Sequence, residues 1–256
     1  MFLFLKLITC SGVNEHTDIE GLLKLLKRYR NAEIGIQVNE KKCNFNSDRM
    51  TWIRTLYNVL RARGQKINAA LHVNPSWVED FGQGYLAPEL QNLMSMRNVE
   101  GDPFFQRIQL NFKIGRDRTP DLYKMFGLMQ LYKTRRFILS YNDNNAEFIG
   151  KMYKLAKDFG IVFDLLYDDS HGEGIVPKER KAPVFEDVRQ GYAGGIGPEN
   201  VYTVLENIKK NLPDKYMAGV TIDAEGRLKG DRHRIDLNRC ASYLEEVAQW
   251  SSEQKW

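Results

Sequence analysis

The sequence predicts an α/β fold, a single (β/α)8 barrel over residues 1–256 with a parallel eight-stranded core. Eight short apolar runs alternate with amphipathic stretches of helical period, about one βα unit apart. Strands that alternate with helices pair in parallel, because each crossover returns the chain to the same end of the sheet. The third observation is a glycine-rich turn after the seventh run, at 191–201. Eight units in a chain of this length favour a closed barrel.

Each predicted strand is a short apolar run bounded by polar or turn-forming residues, which is typical of a parallel strand buried on both faces. In chain order, the eight runs are 2–9, 33–38, 67–73, 105–110, 137–141, 162–167, 190–193 and 216–222.

Four predicted helices have a start signal in the sequence. These signals are Ser47-Asp48, Thr119-Pro120, Asn144-Asn145 with Gly160 as the stop, and Asp236. Apolar residues follow each signal, most clearly at 50, 53, 56, 57 and 60 in the first helix.

An open, doubly wound sheet is the competing architecture. Such a sheet has fewer strands and carries its glycine fingerprint after the first one. Here the glycine turn follows the seventh run, and barrels commonly bind phosphate with the loops after strands seven and eight. The position of the turn therefore favours the barrel.

The turn itself has the composition of a phosphate cradle. Gly194, Gly195 and Gly197 let backbone N–H groups approach a ligand without a Cβ in the way, and Pro198 suits a first helical turn. The start of the following helix would then face an anion. A purely structural turn between strand and helix is the alternative interpretation.

Composition indicates a soluble globular protein. Hydrophobic residues make up 43% of the chain and charged residues 27%, with a net charge of +4. The basic residues are dispersed and lack interleaved aromatics, so nucleic acid is not a predicted partner. Lys6 interrupts the apolar N-terminal run, so no membrane span is predicted. Three cysteines without paired spacing indicate a reduced, cytoplasmic protein. The expected assembly is a monomer or a homodimer.

Catalytic residues of such barrels lie at the C-terminal ends of the strands. Cys10 follows the first predicted strand, and Asp168 and Asp169 follow the sixth. A thiolate can accept a proton and a partly buried carboxyl can donate one. The alternatives are a core cysteine and solvated loop carboxylates. No metal site is predicted, and Lys113 is a weak candidate for a Schiff base.

The strand ends, taken in order, resemble the phosphoribosylanthranilate isomerase family. The closest match is Ala-Gly-Gly-Ile-Gly-Pro-Glu-Asn-Val at 193–201, which is similar to the family's Ser-Gly-Gly-Leu-x-Pro-Glu-Asn-Val. Lys-Leu-Ile-Thr-Cys at 6–10 resembles its first strand, Ile-Gln-Leu-Asn at 108–111 its fourth, and Leu-Leu-Tyr-Asp at 165–168 its sixth.

The resemblance implies an Amadori rearrangement of a phosphorylated aminosugar without a cofactor. Asp168 would be the acid that opens the ribose ring, and Cys10 the base that removes the C2 proton. The phosphate would rest near Gly194, Gly195 and Gly226, with Lys41 and Asn111 as further substrate-binding residues. Lys41 or Lys42 would replace a family arginine, because Asn44 stands at its position. The alternatives are a barrel that binds phosphosugars without catalysis, and a phosphosugar aldolase or lyase.

Overall fold

Eight parallel strands form a closed barrel in chain order in the computed structural model, which describes residues 5–112, 118–168, 176–177, 179–230 and 234–254. The strands are β1 Leu5–Val13, β2 Ala32–Val38, β3 Asn68–Val73, β4 Arg107–Leu110, β5 Arg136–Tyr141, β6 Phe163–Tyr167, β7 Arg189–Tyr192 and β8 Val220–Ala224. The predicted (β/α)8 fold is confirmed.

Eight α-helices accompany the strands in the described part of the chain. They are α1 Ile19–Arg28, α2 Asp48–Ala62, α3 Pro75–Gly82, α4 Pro88–Ser95, α5 Leu122–Leu131, α6 Ala146–Phe159, α7 Val201–Asn211 and α8 Leu237–Glu253. Short 3-10 helices lie at Asp143–Asn145 and Gly226–Leu228.

The connections between strands are not uniform. Two helices, α3 and α4, join β3 to β4, whereas the described residues between β6 and β7 contain no helix. In that second connection, Tyr167 donates its hydroxyl hydrogen to the Ala182 carbonyl at 3.0 Å, and Tyr192 donates to the Lys181 carbonyl at 2.8 Å. Two strand tyrosines thus bind the backbone of this loop.

Contacts divide the barrel into two compact units, which we call the first half (Met1–Ile34 with Leu165–Trp256) and the second half (Gly35–Asp164). In the first half, β8 pairs with both β7 and β1, and Thr9 lies opposite Asp223. In the second half, β4 pairs with β3 and β5, with Ile108 opposite both Leu71 and Phe137.

The final helix illustrates how helices cover the strands. Tyr243, Leu244, Val247 and Trp250 of α8 are each at most 1% exposed, and their spacing places them on one helix face. Burying one such apolar side chain contributes about 1.5–3 kcal/mol. Asp236 caps the helix start by accepting a hydrogen bond from the Asn238 N–H at 2.8 Å.

All eight predicted strands are present, but the first continues farther than predicted. β1 extends to Val13, since Cys10 still pairs with Ala224 of β8. The prediction that Cys10 follows the strand was therefore wrong: it lies within the strand, four residues from the start of the loop.

Helix starts were predicted with mixed success. Ser47 and Asp236 cap α2 and α8, and Gly160 ends α6 in the left-handed conformation, with φ +66°. The predicted cap Thr119-Pro120 was wrong, because Asp121 accepts the N–H bonds at the start of α5. Pro198 was also misplaced: it lies in a turn before α7, which begins at Val201.

Candidate functional site

The glycine turn after β7 adopts a conformation that requires glycine. Gly194 has φ +89° and Gly195 φ +62°, in the left-handed region where a Cβ costs energy. The turn begins beside β6, because the Ala193 N–H donates to the Tyr167 carbonyl at 2.8 Å. The local sequence thus directs the chain sharply away from the end of β7.

Side chains bind three successive carbonyl groups of this turn. The Arg180 guanidinium donates to the Ala193 carbonyl and, at 2.8 Å, to the Gly194 carbonyl. The Asn200 amide donates to the Gly195 carbonyl at 2.9 Å, and its oxygen accepts the Gly197 N–H at 2.9 Å. Two side chains therefore fix the orientation of the whole turn.

The orientation of the carbonyls determines where the amides point. In a planar trans peptide the N–H points opposite to the carbonyl of the preceding residue. The N–H groups of Gly194, Gly195 and Ile196 consequently point away from Arg180 and Asn200. No acceptor for these three groups lies within the described residues. Successive N–H groups of a turn can together bind an anion when they point to one side.

The turn after β8 lies against the glycine turn. A Cβ built on Gly197 would stand 2.5 Å from Cβ of Arg227, so only glycine permits this approach. Arg227 is exposed and belongs to the 3-10 helix that begins at Gly226. A Cβ on Gly226 would meet nothing within 4 Å. The approach brings Arg227 to the edge of the glycine turn, where Oε2 of Glu199 also lies 3.0 Å from a Cβ built on Gly197. Arg239 donates to the other oxygen of this carboxylate.

Glu225 precedes this 3-10 helix and would repel a nearby anion if its charge were not balanced. Its Oε1 accepts a hydrogen bond from Nζ of Lys229 at 2.7 Å. Its side chain also lies 3.4 Å from a Cβ built on Gly12 of β1. The carboxylate is thus paired with a cation on the side of β1.

Cys10 has surroundings that oppose a thiolate. Its side chain is 2% exposed, and its thiol is hydrogen bonded with that of Cys240 in α8. The hydrogen bond to Cys240 and burial raise the pKa of Cys10 well above its usual range. Cys10 therefore faces a helix of the outer layer, and its role as a base stays a prediction that these contacts disfavour.

The neighbouring residue in β1 has a different environment. Ser11 donates its hydroxyl hydrogen to Oδ1 of Asp223 in β8 at 2.6 Å. Alternate residues of a strand point to opposite faces, so Ser11 and Cys10 lie on opposite sides of β1. Because Cys10 contacts the outer helix, Ser11 and the half-buried Asp223 face the barrel interior.

Asp168 is half-buried and follows β6 directly, as predicted. It is adjacent to Tyr167, whose carbonyl binds Ala193, and thus lies next to the start of the glycine turn. Asp169 and the predicted cluster through residue 173 lie outside the described residues, as does Lys113.

The two remaining predicted residues belong to the second half. Lys41 is exposed in the turn after β2. Asn111 follows β4 and lies in a chain of amides: Nε2 of Gln109 donates to Oδ1 of Asn111 at 2.8 Å, and Nδ2 of Asn111 donates to Oδ1 of Asn74 at 3.0 Å. Their binding roles stay predictions.

The described residues lack two further kinds of feature. None of their helices has the length and apolarity that crossing a bilayer would require. No group of three or more His, Cys, Asp or Glu side chains within them is arranged to hold a metal ion.

Arg180 and Arg227 were not predicted as functional residues. Arg180 lies among charged residues of a loop without periodicity, so no local pattern distinguishes it. The Asn200 side chain had a signal, because an Asn before an apolar helical run is a common cap.

The sequence matches no known protein family and no curated protein. Among solved structures, the chain is similar to the xylanase Xyn30A of glycoside hydrolase family 30 subfamily 8 from Clostridium acetobutylicum. The TM-score is 0.54 at 9% identity, over 97% of this chain and 72% of that chain. The similarity shows the (β/α)8 barrel fold alone. The resemblance to phosphoribosylanthranilate isomerase therefore stays a prediction.

Proposed function

We propose that this barrel binds the phosphate group of a small phosphorylated molecule at the turn Gly194–Gly197. One observation carries the proposal: the carbonyls of Ala193, Gly194 and Gly195 are all bound by Arg180 or Asn200. The N–H groups of the following residues are thereby directed to the opposite side, where a phosphate can accept them.

Charge supports the same ligand. Beside Gly197, the carboxylate of Glu199 is paired with Arg239 and lies near Arg227, so two cations face one carboxylate there. Lys229 balances the carboxylate of Glu225. Phosphate oxygens accept hydrogen bonds from backbone N–H groups and from guanidinium, and such charge-assisted bonds are roughly twice as strong as neutral ones. A phosphate ester satisfies both kinds of donor at once.

Calorimetric titration with inorganic phosphate and with ribose 5-phosphate tests the proposal, with ribose as the ligand that lacks phosphate. Gly195→Ala places a Cβ at φ +62° and distorts the cradle, so we expect phosphate affinity to fall at least about tenfold. Gly160→Ala is the matched control, because Gly160 has φ +66° but ends α6 in the second half. Wild-type protein that binds neither phosphate ligand would refute the proposal.

An isomerase that acts on a phosphorylated aminosugar is the second candidate function. The hydrogen bond from Ala193 to the Tyr167 carbonyl supports it, because Asp168 follows Tyr167 in the chain and so lies near the proposed phosphate turn. A carboxylic acid there could protonate the ribose ring oxygen and open the ring to an iminium. A base would then remove the C2 proton.

Turnover of phosphoribosylanthranilate by three variants tests this candidate. Asp168→Asn removes the acid, and we expect a loss of about 10²–10⁴-fold. Asp223→Asn should cost more turnover than Cys10→Ser, because Asp223 faces the interior and the Cys10 thiol is buried against α8. Wild-type protein that binds phosphate but forms no product would favour the alternative of a binding barrel without catalysis.

A further inference from the structure

A buried arginine lies behind the glycine turn, on the side away from its N–H groups. Arg180 is 2% exposed, although its charge would ordinarily favour water. Its own N–H donates to Oδ1 of Asn207 in α7 at 2.7 Å, which anchors the loop to a helix. Its guanidinium reaches the Ala193 and Gly194 carbonyls. Arg180 thus connects α7 to the turn, through its backbone N–H at one end and its guanidinium at the other.

The guanidinium acts on the turn in two ways. Its planar fork presents donors in a fixed geometry and so binds two successive carbonyls together, which a single ammonium cannot do with equal precision. Its charge also polarises each peptide group, so the N–H on the far side becomes a stronger donor. Both effects increase attraction for an anion that Arg180 does not touch.

Another buried arginine of the same chain provides a comparison. Arg135 is 3% exposed, and its guanidinium donates to the Met94 carbonyl in the second half. Met94 belongs to α4, where the carbonyl is part of a helix and not of a glycine turn. Arg135 therefore shares the burial and the carbonyl contact of Arg180 but has no cradle to orient.

We propose that Arg180 is a positioning residue that sets the phosphate affinity of the barrel through the Ala193 and Gly194 peptide groups. This inference rests on the proposed phosphate site. In this proposal, the affinity for phosphate depends on Arg180 although Arg180 makes no contact with the phosphate.

The test measures phosphate affinity and stability for Arg180→Lys, Arg180→Gln and the control Arg135→Lys. Both substitutions of Arg180 remove the planar guanidinium that binds two carbonyls, so each should weaken phosphate binding at least about tenfold. Arg135→Lys should lower stability and leave affinity within about twofold. Folded Arg180 variants with wild-type affinity would overturn the inference, as would an equal loss of affinity in Arg135→Lys.

A measurement on the wild-type protein completes the test and needs no variant to fold. In ¹H–¹⁵N spectra, added phosphate should shift the Gly194 and Gly195 amide signals together with the Arg180 Nε–H signal. Shifts at the glycines without one at Arg180 would overturn the inference. Wild-type protein with no phosphate-dependent shift at the glycines would refute the phosphate site itself, and with it the role of Arg180.

Discussion

The polar side chains near the strand ends form different kinds of hydrogen bond in the two halves of the barrel. In the first half, side chains bind carbonyls, and the peptide N–H groups of the glycine turn point elsewhere. In the second half, the amides of Asn74, Gln109 and Asn111 bind one another. Where side chains bind backbone carbonyls, the peptide N–H groups stay available to a ligand. Where side-chain amides bind each other, fewer of their own donors stay available. This difference locates the proposed phosphate site in the first half.

Buried charge differs between the halves as well. In the second half, Asp164 is fully buried, and its carboxylate binds Arg136 at 2.9 Å and Arg107 at 3.1 Å. Arg107 is also buried, so a charge there needs a compensating partner. In the first half, the guanidinium of the buried Arg180 binds carbonyl groups of the glycine turn. Arg107 thus balances a buried carboxylate in the second half, whereas Arg180 orients peptide groups of the glycine turn in the first.

Removal of the buried Asp164 carboxylate should have the largest effect on stability. Asp164→Asn leaves Arg107 buried without its countercharge, so we expect a loss of about 3–5 kcal/mol in the free energy of unfolding, measured with urea. Glu147→Gln removes an exposed partner of Lys151 and should leave the unfolding midpoint unchanged. A small loss in Asp164→Asn would show that the carboxylate is not the required countercharge.

Glycine-to-alanine substitutions should have opposite effects in the two halves. Gly197→Ala places a Cβ 2.5 Å from Cβ of Arg227 and forces the two turns apart, so we expect a loss of about 1–3 kcal/mol and weaker phosphate binding. Gly150→Ala in α6 meets nothing within 4 Å and should stabilise the protein by about 0.5–1 kcal/mol. Thermal unfolding and phosphate titration of both variants measure this contrast.

Cys10 predicts a pH dependence of stability. Its pKa is raised in the folded protein, so the unfolded chain loses the thiol proton first. The contribution of the protonated thiol to the free energy of unfolding is complete below the ordinary thiol pKa of about 8.5 and declines as the pH rises above it. Urea unfolding between neutral and alkaline pH should show this decline, and Cys10→Ala should show less of it. An equal decline in both proteins would contradict the buried, protonated thiol.

Truncation within the amide chain should have the smallest effect. Asn111→Ala removes two side-chain hydrogen bonds in the second half, and we expect a loss of about 1 kcal/mol. Inorganic phosphate should bind the variant with unchanged affinity, because its proposed cradle belongs to the first half. Weaker phosphate binding in Asn111→Ala would contradict the proposal that the first half alone binds phosphate.

The sequence predicts the fold well because strands buried on both faces appear as short apolar runs. The end of β1 was missed, since Cys10 and Ser11 are small or polar, yet Cys10 still pairs with Ala224 of β8 and the strand continues to Val13. Which face Cys10 occupies depends on strand register, and one residue of shift reverses it. The glycine turn was located because positive φ has a residue signature. Arg180 has no such signature, because its burial results from tertiary packing.

The hydrogen bonds of Arg180 and Asn200 also bear on how such a site can be inherited. Every residue except proline carries a peptide N–H, so the ligand-facing chemistry survives most substitutions. Only its orientation can be lost, and that depends on glycines and on two side chains behind the turn. The proposed site would therefore tolerate changes in the side chains around it, provided that the glycines, Arg180 and Asn200 are kept.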